Sequence, residues 1–165
     1  MATARLPART MSKRHGALRT ACALLALAAT AAHGADATIT SPDGRTILRI
    51  AEDGATFSVS RRQETVIAAS PLGLELDGEP ALAPLKLESR EDASVDRAIA
   101  LVATKAAGAR DHYRGATLAF REVGGGRRLL IDARAYDDGI ALRYRLDGTG
   151  AVKLRGERTA FVPAG

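Results

Sequence analysis

The stretch RAYDDGIALRYR, residues 134–145, decides the fold. Its first residues end one alternating run of small apolar and polar side chains. Asp137-Asp138-Gly139 follows, and Ile140, Leu142 and Tyr144 then alternate with Arg143 and Arg145. Asp side chains satisfy turn backbone locally and Gly carries no Cβ to obstruct it. The stretch therefore reads as strand, turn, strand.

The same period of two extends outward. Leu129, Ile131, Ala133 and Ala135 make one face of the preceding strand; Arg128, Asp132 and Arg134 make most of the other. Gly124-Gly125-Gly126 supplies the turn before it, and Leu118 and Phe120 oppose Thr117 and Arg121 before that. Nearer the N-terminus, Thr46, Leu48 and Ile50 share a face, as do Phe57 and Val59, with Asp53-Gly54 between the two runs. Val66-Ile67 reads as a short strand, and Leu72, Leu74 and Leu76 alternate with Gly73 and Glu75. Clean inside–outside alternation with frequent turns predicts an all-β chain, an antiparallel β-sandwich. Residues 85–93 read as strand or loop, and residues 98–105 as strand or short helix.

The formal charge of +5 is concentrated at one end. Residues 1–34 carry Arg5, Arg9, Lys13, Arg14 and Arg19 and no acid, so the 19 remaining basic residues balance the 19 acidic ones. This excludes a nucleic-acid or anionic-membrane function argued from charge. A basic region, the apolar run ACALLALAATAA at residues 21–32, and small residues at Ala32 and Gly34 read as a secretory signal cut before Ala35, with Met11 as an alternative start. The mature chain, residues 35–165, is then one exported domain, periplasmic or extracellular. No second apolar run is long enough to span a bilayer. Cys22 is the only cysteine and leaves with the signal, which excludes disulfides and thiolate metal sites in the mature chain.

Several groups resemble chemistry. Asp111 and His112 are adjacent, and strand neighbours point to opposite faces, so they form no triad. Tyr113 is expected to pack and His112 to be hydrogen-bonded. Asp137 and Asp138 are turn residues. Gly124–Gly126 precedes no helix and so lacks the N-terminus that holds phosphate. Arg61-Arg62 and Arg127-Arg128 read as solvated strand ends or ion-pair partners. Alternation sends Phe57, Phe120 and Tyr144 to the core, and with no Trp in the chain few rings remain to stack on a sugar.

Five stretches occur in order: SPDGR (41–45), SPLGLEL (70–76), RDHYRGATLAF (110–120), RRLLIDARAYDDGIALRYRL (127–146) and GERTAF (156–161). Together they resemble the N-terminal domain of glycoside hydrolase family 97, over almost the whole mature chain. The resemblance implies a non-catalytic sandwich, part of a supersandwich, packed on the (β/α)₈ barrel of an exported α-glucosidase or α-galactosidase. It implies that the chain covers only part of that domain and is inert alone. It also implies a calcium ion at the full enzyme's active site, with Glu157 of GERTAF as one ligand, and a position near the α-linked oligosaccharide for His112. Neither catalytic carboxylate is assigned to this chain. ATKAAGARDHY, residues 103–113, departs from the family by lacking a Trp-Gly-Glu element. The alternative expectation is a free-standing exported sandwich that binds carbohydrate or a protein.

N-terminal sequencing of the exported product is expected to begin at Ala35. A product that retains Cys22 would overturn the signal reading.

Overall fold

The computed structural model describes residues 35–78, 84–100, 108–148 and 151–165. The segment read as a signal, and residues 101–105 of the ambiguous stretch, lie outside the described residues. Everything described is strand, turn or extended chain, and it contains no helix able to cross a membrane.

Two antiparallel meanders make the sandwich. The first sheet runs in the order β1 (Ala37–Thr40), β2 (Thr46–Ile50), β3 (Thr56–Arg61), β4 (Glu64–Pro71). A short strand, β5 (Leu74–Leu76), follows it. The second sheet runs β6 (Leu85–Ala100), β7 (Gly108–Glu122), β8 (Arg128–Tyr136), β9 (Ile140–Leu146). Finally β10 (Leu154–Glu157) pairs back on β5. All-β class and antiparallel sandwich are as expected from the alternation.

The alternating positions meet in one core. Leu48 and Ile50 of β2 and Phe57 and Val59 of β3 pack with Leu118 and Phe120 of β7 and Leu129 and Ile131 of β8, all buried. Each such side chain contributes roughly 1.5–3 kcal/mol on leaving water. The β2–β3 turn is pressed onto this core. Gly54 adopts a φ of +65°, and a Cβ there would lie 3.1 Å from the Phe120 ring. Glycine is needed twice over, for backbone and for space.

The β3–β4 hairpin differs from expectation. Val66-Ile67 belongs to an eight-residue strand. Its two-residue turn is Arg62-Gln63, with φ of 51° and 72°. Two successive left-handed residues fit the right-handed twist of a hairpin. Here they occur without the Asn-Gly or Asp-Gly chemistry that marks such turns in sequence.

Residues 85–93 and 98–100 of the ambiguous stretches belong to one long edge strand. β6 pairs with β7 from Leu85↔Glu122 to Ala100↔Gly108. Its alternation is weak because most of it is exposed. β8 accompanies β7 only as far as the Tyr113↔Tyr136 pair. Beyond that, β6 and β7 project as a two-stranded ribbon. Its cross-strand charges are paired: Arg110 meets Asp96 at 2.7 Å and Arg97 meets Asp111 at 3.0 Å.

Residues 158–164 border β4. Ala68 N–H donates to the Val162 carbonyl at 2.9 Å and Ala164 N–H to the Val66 carbonyl at 3.2 Å. Pro163, bridged to Ile67, has no N–H to offer a further strand.

Gly115 sits mid-strand in β7, where a Cβ would lie 2.8 Å from the Ala133 carbonyl oxygen and 3.2 Å from the Tyr113 ring. Gly115→Ala is expected to destabilise the domain by about 1–3 kcal/mol through overpacking. A lowered urea midpoint at constant m would register this.

Candidate functional site

Two of the turns singled out in the sequence form a clasp at one end of the sandwich. Buried Ser41 donates its hydroxyl to Asp43 Oδ1 at 2.6 Å and accepts the Thr46 N–H at 3.0 Å. The Ser41 hydroxyl, then the Arg45 N–H, hold the Asp43 carboxyl below its ordinary range. Asp43 N–H in turn donates to Asp137 Oδ1 at 2.9 Å, and Thr46 Oγ1 donates to the Asp137 carbonyl at 3.3 Å. SPDGR of the first sheet is thereby tied to YDDG of the second. Asp137 is a turn residue, as the sequence indicates, and it also joins the two sheets.

His112 lies beside this clasp, at the base of the ribbon. Its Nδ1 is 3.8 Å from Asp137 Oδ2 and its Nε2 is 4.0 Å from Asp96 Oδ2. Both distances are too long for hydrogen bonds, so the hydrogen-bonded His112 expected from the sequence is instead an imidazole between two carboxylates. Arg110, by hydrogen bond, keeps the Asp96 carboxyl below its usual range. Asp111 points the other way, to Arg97 and Tyr136. No Asp–His triad forms.

Glu157 lies elsewhere, exposed at the end of β10 opposite Leu74. It borders a cleft of about 480 Å³ with Leu74, Tyr144, Leu146, Val152 and Leu154. Calcium takes six to eight oxygens, and one carboxylate supplies at most two. Among the described residues no group of three or more His, Cys, Asp or Glu side chains could hold a metal. The residues present therefore do not make a calcium site by themselves. His112 and Glu157 are not brought together: His112 adjoins the turn before β9, whereas Glu157 adjoins Tyr144 further along that strand.

Tyr144, assigned to the core by alternation, sits half-buried at its rim. Its hydroxyl accepts the Gly73 N–H at 3.0 Å and lies 2.7 Å from Thr159 Oγ1. Three of the five stretches, SPLGLEL, the one spanning the β8–β9 hairpin and GERTAF, thus meet at one oxygen. Strand period indicates which way a side chain points but carries no signal for where its terminal hydroxyl bonds.

Asp132, on the outer face of β8, was not singled out from sequence. Arg143 and Arg145 both grip it, at 2.5 and 2.9 Å, and Thr117 donates to it at 2.9 Å. Burial raises its pKa, but the hydrogen bonds from Arg145, Arg143 and Thr117 prevail and hold it at about 2. Further along this face the Arg134 guanidinium stacks 4.4 Å from the centre of the packed Tyr113 ring. The cluster ties β7, β8 and β9 together across their outer face.

A family model described as Glycosyl-hydrolase 97 N-terminal matches residues 39–164. A retaining alpha-galactosidase of Bacteroides thetaiotaomicron is 33% identical over 114 residues, covering 65% of this chain and 16% of that protein. A probable retaining alpha-galactosidase of Streptomyces bingchenggensis is 32% identical over 138 residues, covering 79% of this chain and 21% of that protein. Among solved structures, a glycoside hydrolase family 97 enzyme in complex with acarbose, from Pseudoalteromonas sp. strain K8, superposes with a TM-score of 0.69 at 23% identity. That match covers 76% of this chain and 20% of the other. The chain thus spans about a fifth of the length of the proteins it resembles.

Asp132 offers a pH test. Its folded pKa lies below the unfolded value, so its stabilisation is present above about pH 4 and is lost as pH falls toward 2. Asp132→Asn is expected to be less stable than the unaltered chain at pH 7, with the difference closing between about pH 4 and pH 2. Thermal unfolding across that range measures it.

Proposed function

The chain belongs to glycoside hydrolase family 97 as its N-terminal domain, and on that premise we propose that it is the non-catalytic sandwich of an exported α-glycosidase, bracing a catalytic (β/α)₈ barrel. The observation that carries this is the extent of the match. It runs from β1 through both sheets to the segment bordering β4, yet it takes in only 16–21% of the relatives' lengths. The share of the relatives outside the match is large enough for a barrel, and glycosidic cleavage needs two carboxyl groups at a set separation. In this reading neither belongs to this chain.

The substrate would be an α-linked oligosaccharide or galactoside, as the relatives' names suggest. Glu157 would lend one carboxylate to a calcium ion whose other ligands come from the barrel. Bound calcium would supply the largest local positive charge at the sugar pocket. Exposure of Glu157 beside an open cleft supports such a role, since it leaves the carboxylate accessible to an ion. His112 sits at the ribbon base and would approach sugar only where the ribbon forms part of the pocket wall. Residues 1–34 would direct export and be removed.

Two measurements test this. The chain alone, with calcium, is expected to leave p-nitrophenyl α-galactoside and α-glucoside unhydrolysed; turnover refutes the non-catalytic role. Joined to a family 97 barrel, the domain carrying Glu157→Gln is expected to need at least tenfold more calcium for half-maximal activity than one carrying Glu75→Gln. Equal requirements refute the ligand role.

A further inference from the structure

We propose that the Tyr144 hydroxyl is the positioning group for Glu157, holding the segment that bears it at a fixed place beside the cleft. The purpose of this positioning rests on the calcium reading above; its geometry does not.

The small sheet of β5 and β10 needs an anchor. A two-stranded pair is marginal in water by itself, and β10 is largely exposed. Its register shifts between Leu154 and Gly156, immediately before Glu157. The side-chain ion pairs joining the two strands' surroundings, Arg158 with Glu75 and Lys153 with Asp77, are exposed and hold the pair only weakly.

Tyr144 closes a ring that this pair lacks. Gly73 N–H donates to the Tyr144 oxygen, the Tyr144 and Thr159 hydroxyls bond each other, and Arg158 N–H donates to the Gly73 carbonyl at 2.9 Å. One phenol thereby ties the β4–β5 link and residues 158–159 to β9 of the large sheet. Burial raises the Tyr144 pKa, so the phenol keeps its proton and can donate to Thr159 while accepting from Gly73. Glu157 lies two residues before Thr159 and lines the same cleft as the Tyr144 ring.

Amide hydrogen exchange on the full chain tests the proposal. Tyr144→Phe keeps the packed ring and removes only the oxygen. It is expected to speed exchange at least tenfold at Arg158 and Asp77, whose amides bond to Gly73 and Lys153 rather than to Tyr144. Leu118 and Ile131 amides in the large sheet should be unchanged. Thr159→Val should reproduce the effect, and Thr159→Ser, which retains a hydroxyl, should not. Unchanged exchange at Arg158 and Asp77, or equal acceleration in all strands, overturns the proposal. In the barrel fusion, Tyr144→Phe is expected to raise the calcium requirement while leaving the rate at saturating calcium intact. If Tyr144→Phe frees the segment but Glu157→Gln leaves the calcium requirement unchanged, the calcium reading fails and the anchor stands.

Discussion

The structure depends on two sheets burying their apolar faces against each other. Each meander is apolar on one face, and among the described residues no helix covers either. The Phe120 ring lies at the centre of that closure, buried in the second sheet and touched by the Gly54 turn of the first. Dispersion and the hydrophobic effect set how closely the sheets approach, but both are non-directional. What fixes the alignment is polar. The Asp137–Asp43 and Asp137–Thr46 bonds pin one end of the sandwich, and the Tyr144 hydroxyl pins the small sheet to β9.

This division explains what the sequence made legible. Period-two alternation is a direct record of burial, so the strands bearing Leu48, Phe57, Leu118 and Ile131 could be read in advance. Turns written in Asp-Gly, Gly-Gly-Gly and Asp-Asp-Gly were equally plain. The Arg62-Gln63 turn was not, because the long polar pair carries no turn signature and the register of β3 and β4 imposes its backbone. β6 was ambiguous for the opposite reason. An edge strand exposed along most of its length has no inside–outside contrast to write into the sequence.

Site chemistry was harder to read than fold. Adjacency correctly kept Asp111 and His112 apart, because strand geometry alone decides that. It could not place Asp96 and Asp137 on either side of His112, since that requires the β6–β7 register and a turn from a third strand. Asp132 gave no local hint of two arginines converging from β9. Glu157 was reached through resemblance, and the structure adds the segment's tether, which neither composition nor period encodes.

The Tyr144 ring also bears on the order in which the molecule can assemble. Each large sheet is a meander of neighbouring strands, so its contacts close short loops and can form early. The bond between Gly73 and Tyr144 spans 71 positions, and the pairing of β5 with β10 is longer still. For a chain emerging N-terminus first, β1 to β4 can pair while the rest is still being made. The corner that carries Glu157 must wait until residues 154–159 have followed both four-stranded sheets out, so it closes after the strands it is tied to can already pair.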